Sequence, residues 1–181
     1  FQSLLNDPEN IKENFESYLN HFSENVIDII HRMDFDRELQ KMADNNVLYL
    51  VIKEFCTSKA YLGADLVTSV DMGYIFEELV RKFSESYDEQ AGAHFTARDI
   101  IYLMAELLVG NDEQKLEREG ITASIYDMAM GTSQMLGCLT ERFLKIDPEA
   151  EITSYGQELN NQTFAIAKAD TLIKGGNADN M

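Results

Sequence analysis

The chain has 181 residues, 45% of them hydrophobic, and sets 15 Lys and Arg against 32 Asp and Glu for a formal net charge of −17. That is apolar content enough for one modest domain and part of a second, while so negative a charge excludes a free-standing DNA clamp, whose affinity for phosphate comes from clustered Lys and Arg. No run of about 18 apolar residues and no basic stretch leading into an apolar one occurs, so neither a transmembrane helix nor a signal peptide is expected, and cytoplasmic residence follows by default.

Residues 1–88 read as a helical amino-terminal domain. Asp7-Pro8 is a helix start, with Asp as cap and Pro in the first turn, and Ile11, Phe15, Tyr18, Leu19 and Phe22 then fall on one face. Val26, Ile27, Ile29 and Ile30 mark a second helix, Phe35, Leu39 and Met42 a third, and Leu48 to Phe55 a buried fourth. Ser69 caps a fifth, whose stripe is Met72, Ile75, Phe76, Leu79, Val80 and Phe83. At this spacing the aromatics and methionines read as core. The acids alternate with apolar positions, which suits a solvated surface better than a block mimicking DNA.

Cys56 and Cys138 lie far apart on apolar segments and read as reduced, packed thiols, and His21, His31 and His94 have no ligand spacing, so no metal site is expected. Ser84 to Gly92 is polar and ends in glycine, which places a domain boundary at about residue 88 and a second, partial domain at 89–181. Thr96 and Asp99 form a T-x-x-D capping pattern ahead of Ile100, Ile101, Leu103, Met104, Leu107 and Leu108, and Gly110 is the stop. Capping alone accounts for Thr96 as well as any ligand role does.

From Ser124 the pattern becomes strand (Ser124 to Met128), helix (Gln134 to Leu144), strand (Ile152 to Gln157) and helix (Asn160 to Lys174). The order βαβα suggests a parallel sheet begun and not completed, with one edge and an apolar face exposed. In such a unit the turn after the first strand faces the carboxyl edge, where a small residue lets the backbone approach a ligand; Gly131 is placed for that. Glu158, ending the second strand, can accept hydrogen bonds from both hydroxyls of a ribose. Asp127 would repel a pyrophosphate, and G-x-G-x-x-G is absent, which argues against a nicotinamide dinucleotide. S-adenosylmethionine has no phosphate, carries a cationic amino-acid end and still presents a ribose diol. The alternative is an ordinary α/β turn in which Asp127 caps the helix and Glu158 is a solvated strand end.

Read together, Ala93-His94-Phe95-Thr96-Ala97-Arg98-Asp99-Ile100 and Ile125-Tyr126-Asp127-Met128-Ala129-Met130-Gly131-Thr132 resemble the modification (methyltransferase) subunit of type I restriction-modification systems. The likeness extends to Asn14 to Val26, to Met72 to Leu79 and to Gly156 to Asn160. It implies a helical amino-terminal domain followed by the start of an α/β Rossmann-like class I methyltransferase domain, mostly α overall. It also implies a cofactor, S-adenosylmethionine, near Ala93, His94, Phe95, Thr96, Ala97, Arg98, Asp127, Gly131, Thr132, Ser133, Gln134 and Glu158. Within that set, Phe95 and Thr96 would contact the methionine end, and Arg98 would be a structural or carboxylate partner. The implied partners are a specificity subunit, a restriction subunit, a second modification subunit, and double-stranded DNA through the complex.

Three departures stand out. Met128 replaces a usual proline, Ser133-Gln134 a usual double glycine, and Ala97 a usual proline. The Asn/Asp-Pro-Pro-aromatic motif that holds the target amine in this family is missing, the only prolines being Pro8 and Pro148. The resemblance therefore implies an amino-terminal fragment of an adenine methyltransferase subunit, inactive alone and without catalytic residues of its own. A non-catalytic helical assembly module with a degenerate cofactor site is the alternative. A small-molecule methyltransferase is a weaker one, since it would need catalytic residues within the chain.

Overall fold

The computed structural model describes residues 1–86, 96–110 and 120–181, and of residues 69, 70 and 83–86 only the backbone. The chain divides into two compact units, Phe1–Met72 and Gly73–Met181. The boundary expected at about residue 88 lies outside the described residues.

The first unit is a set of short helices: α1 (Ile11–Leu19), α2 (Glu24–Arg32), α3 (Phe35–Asp44) and α4 (Leu48–Phe55), preceded by a 3-10 turn at Gln2–Asn6. Regular helix begins at Ile11, later than the start expected at Asp7-Pro8. The Asp7 carboxylate instead accepts from the Asn10 side chain at 3.0 Å and the Asn14 side chain at 3.1 Å, so it ties a turn to the helix and does not itself open one. Leu4, Phe15, Leu39, Leu48 and Ile52 form the core, with Phe15 stacked on Tyr18 and edge-on to Phe35. Helix α4 has the span expected but buries one face only. Leu48 and Ile52, one turn apart, are inside, whereas Leu50 and Phe55 are 60% and 56% exposed.

Helix α5 runs Ser69–Ser86, and its cap lies one residue before the Ser69 expected. Thr68 and Asp71 make a reciprocal pair, the Asp71 N–H donating to Thr68 Oγ1 at 3.2 Å and the Thr68 N–H to Asp71 Oδ2 at 3.0 Å. This satisfies two amides that would otherwise lack partners at a helix start.

The second unit continues with α6 (Arg98–Val109), β1 (Thr122–Asp127), α7 (Gln134–Ile146), β2 (Glu151–Gly156) and α8 (Asn161–Ile173). The two strands pair in parallel, Thr122 opposite Glu151 through Asp127 opposite Gly156. The order βαβα is thus present, its element ends within two residues of those expected. Ile101, Ala105 and Val109, each four residues apart, form the buried stripe of α6; Ala105 and Val109 pack with Leu139 of α7. The remaining apolar residues of that helix, among them Leu103, Leu107 and Leu108, are exposed. A second cluster joins Met130, Leu136 and Ala167, and Ile125 of β1 touches both.

Along β1 exposure alternates, leaving Tyr126 and its register partner Tyr155 in the open on one side of the pair. Among the described residues the architecture is mostly helical with one small parallel sheet, and no helix is long and apolar enough to cross a membrane. Cys56 and Cys138 are free thiols, both half-buried, and burial pushes the Cys138 thiol up from its ordinary value.

Candidate functional site

Parallel pairing in register brings both strand ends to one edge, since Asp127 lies opposite Gly156. The pairing continues past the strands: the Gln157 N–H donates to the Asp127 carbonyl and the Met130 N–H to the Gln157 carbonyl, both at 2.9 Å. The loop after β1 is therefore sewn to the end of β2.

Within that loop the Asp127 carboxylate turns back to accept the Ala129 N–H at 3.0 Å, a local Asx turn and not a cap on α7. Gly131 follows at φ +56°, a left-handed conformation, and a Cβ built there would meet nothing within 4 Å. Glycine is thus favoured by the backbone angle, and the surface above it is open. Its N–H donates to Glu158 Oε2 at 3.1 Å, while the Asn160 N–H donates to Glu158 Oε1 at 2.7 Å. One half-buried carboxylate so holds the glycine turn against the entry to α8. An ionised carboxylate has about four acceptor sites, so these two bonds leave capacity for a diol.

Thr132 and Ser133 are buried, and Ser133 also adopts a left-handed conformation, φ +68°. This is the first of the two positions where the resembled family has glycine, and the angle supplies the reason. Met130, one residue before Gly131, packs its sulfur over Gly156. A Cβ at Gly156 would come within 2.1 Å of Met130 Sδ and 3.3 Å of Leu136 Cδ1. The absence of a side chain at Gly156 is what lets the loop settle on β2.

The upstream segment is less complete. Ala93, His94 and Phe95 lie outside the described residues. Thr96 does not cap α6. The N-cap is Ala97, so the Thr96 hydroxyl sits one residue too early to reach the free amides, and Asp99 Oδ1 accepts the Ile100 N–H at 3.0 Å instead. Arg98, the first helical residue, pairs with Glu77 of α5. Arg98 and Gln134 face the same cleft of about 50 Å³, together with Tyr74, Glu77, Gly137 and Lys174. That volume holds a water or two and is far below the ~300 Å³ of a small-molecule pocket. Gln134, standing at the second of the usual glycines, has its Oε1 buried and without a hydrogen-bond partner among the described residues.

At the opposite end of the strands Asp147 is buried and accepts the Ile121 N–H at 2.9 Å and the Glu149 N–H at 3.0 Å. The Ile121 amide is the main reason its carboxyl is held below the usual aspartate range. Asp147 clamps the entry to β1 onto the turn before β2. Its place ahead of Pro148 signals a turn, but not this partner.

The family model described as N-6 DNA Methylase matches residues 68–181, which include α5 and both candidate segments. The chain is similar to a protein named Type I restriction enzyme HindI methylase subunit from Haemophilus influenzae, 27% identical over 106 residues, 58% of this chain and 21% of that protein. It is also similar to one named Type I restriction enzyme MpnII methylase subunit from Mycoplasma pneumoniae, 22% identical over 147 residues, 68% of this chain and 26% of that protein. The matches span only about a quarter of the length of these relatives. With the family model covering well over half of its residues, the chain belongs to the N-6 DNA methylase family.

Proposed function

We propose that residues 73–181 carry part of an S-adenosylmethionine site belonging to a type I restriction-modification adenine methyltransferase subunit. The observation that carries this reading is Glu158 bonded to the Gly131 turn at the carboxyl edge of a parallel pair, with Asp127 ending the neighbouring strand. Such an edge suits a ribose bound by Glu158 and an ammonium group near Asp127. The βαβα order supports taking this unit as the opening of a Rossmann-like class I methyltransferase domain.

The bound cofactor would supply an electrophilic methyl group on a sulfonium sulfur. This chain's own residues would hold and orient it: Glu158 at the ribose, Asp127 and Thr132 along the loop, and Thr96 with its neighbours at the amino-acid end. No Asn/Asp-Pro-Pro-aromatic motif is present, so transfer to the adenine amine needs residues that the chain does not contain. In the full-length subunit we expect that step to occur on DNA selected by a specificity subunit, in a complex that also holds a restriction subunit and a second modification subunit.

Two features favour a second reading, a non-catalytic assembly module: the strained Ser133 and the Gln134 side chain in the cleft. Titration of S-adenosylmethionine into the chain and into Asp127→Ala and Glu158→Ala separates the two. Weaker binding in the variants supports the cofactor site, and unchanged affinity in both contradicts it.

A further inference from the structure

Four charged side chains in the second unit form a continuous chain of ion pairs. Arg98, at the start of α6, pairs with Glu77 Oε2. Glu77 Oε1 takes the Lys174 ammonium at 3.0 Å, and the same ammonium lies 2.8 Å from Asp170 Oδ2. The sign alternates along these four, while Glu141, which lines the Arg98 cleft, adds a like charge acting on Asp170. Glu77 comes from α5, Arg98 from α6, and Asp170 and Lys174 from the end of α8, so three helices meet at one carboxylate.

Lys174 passes close to two glycines of neighbouring helices. A Cβ at Gly73 would lie 3.5 Å from Lys174 Cε, and one at Gly137 would lie 3.8 Å from its Nζ. Both are ordinary van der Waals distances, so the lysine stem runs alongside α5 and α7 at these two positions. Asp170 is buried, which pushes its carboxyl above the ordinary value, with Lys174 pulling the other way. With Glu77 also mostly covered, at 21% side-chain exposure, these pairs are less screened than surface ones.

We infer that Glu77 is a positioning residue: by holding the Arg98 guanidinium and the Lys174 ammonium on one carboxylate, it fixes the first turn of α6 against the carboxyl end of α8. The consequence rests on the proposed cofactor site. Thr96 is two residues before Arg98, and Gln134, at the start of α7, shares the Arg98 cleft, so the anchor sets the spacing between the upstream segment and the glycine turn. On this assignment the Arg98 guanidinium serves the protein's own carboxylate and does not hold a ligand's.

The experiment is hydrogen exchange on the 181-residue chain and its Glu77→Gln variant, followed by titration of both with S-adenosylmethionine. The Ile100 and Ile101 amides, which bond to the Ala97 carbonyl, should exchange about tenfold faster in the variant, while amides in the middle of α7 keep their wild-type rates. Arg98→Gln should produce the same local rise, and it serves as the test if Glu77→Gln does not fold. Cofactor affinity of Glu77→Gln should fall by roughly three- to tenfold. Unchanged exchange at the start of α6 overturns the inference, and so does an equal rise throughout the unit, which is general destabilisation. If the wild-type chain binds no S-adenosylmethionine, the function proposed above fails, and the exchange result still decides whether Glu77 anchors α6.

Discussion

Glu158 and Gly131, 27 residues apart in sequence, are joined by a 3.1 Å hydrogen bond from the glycine amide to the carboxylate. The same carboxylate takes the Asn160 amide, and Asn160 in turn caps α8 through the Gln162 and Thr163 amides. The glycine turn, the end of β2 and the start of α8 are thus one hydrogen-bonded unit.

Removing that carboxylate should loosen the turn and delete the proposed ribose acceptor together. Glu158→Ala is expected to weaken S-adenosylmethionine binding by about ten- to hundredfold, the range for hydrogen bonds to a charged group. Glu158→Gln keeps one acceptor oxygen and should fall between Ala and wild type. Equal affinities across the three proteins, measured by titration, would contradict the role given to Glu158.

Ser133 is held at φ +68°, where an L-residue is strained and glycine is not. Ser133→Gly should therefore stabilise the chain by about 0.5–1 kcal/mol, part of the relief being offset by the greater freedom of glycine in the unfolded state. Denaturant unfolding measures this. A destabilised variant would mean that the buried serine hydroxyl contributes more than the backbone strain costs.

Gly156→Ala has the opposite sign. The added methyl meets Met130, Leu136 and Met181 from three directions, and Met130 and Leu136 are buried with little freedom to move. A loss of about 1–3 kcal/mol is expected. No loss would show that the loop after β1 is softer than its contacts suggest.

Asp147 gives a pH dependence. Its folded-state pKa is depressed, chiefly by the Ile121 amide, so its contribution is present above the unfolded aspartate value of 3.8 and is lost as pH falls through the lower folded value. Asp147→Asn should melt below wild type at neutral pH, and the gap should close as the pH is lowered past that range. A gap independent of pH would assign the loss to shape and not to charge.

Much of this was legible in the sequence because periodicity is a local property of long, regular segments. Helices α1 to α4 and the run β1, α7, β2, α8 fall where apolar spacing changes from helical to alternating. Caps are less legible. Asp7, Ser69 and Thr96 are all capping residue types, but a shift of one or a few residues decides whether a hydroxyl or carboxylate reaches a free amide; Thr68 succeeds where Thr96 does not. That Asp127, Gly131 and Glu158 meet at one edge follows from the βαβα order, which the apolar pattern carries. The pairings of Glu77 with Lys174 and of Met130 with Gly156 are not legible, since they join residues 97 and 26 positions apart with no spacing rule to connect them.

The most direct measurement is a calorimetric titration of the 181-residue chain with S-adenosylmethionine, beside its demethylated product and with NAD as control. Saturable binding of the first two and none of NAD is the expected result, because the loop pairs a carboxylate with the glycine turn where a pyrophosphate would need a cradle of bare amides. No binding of S-adenosylmethionine, or equal binding of NAD, would contradict the central claim.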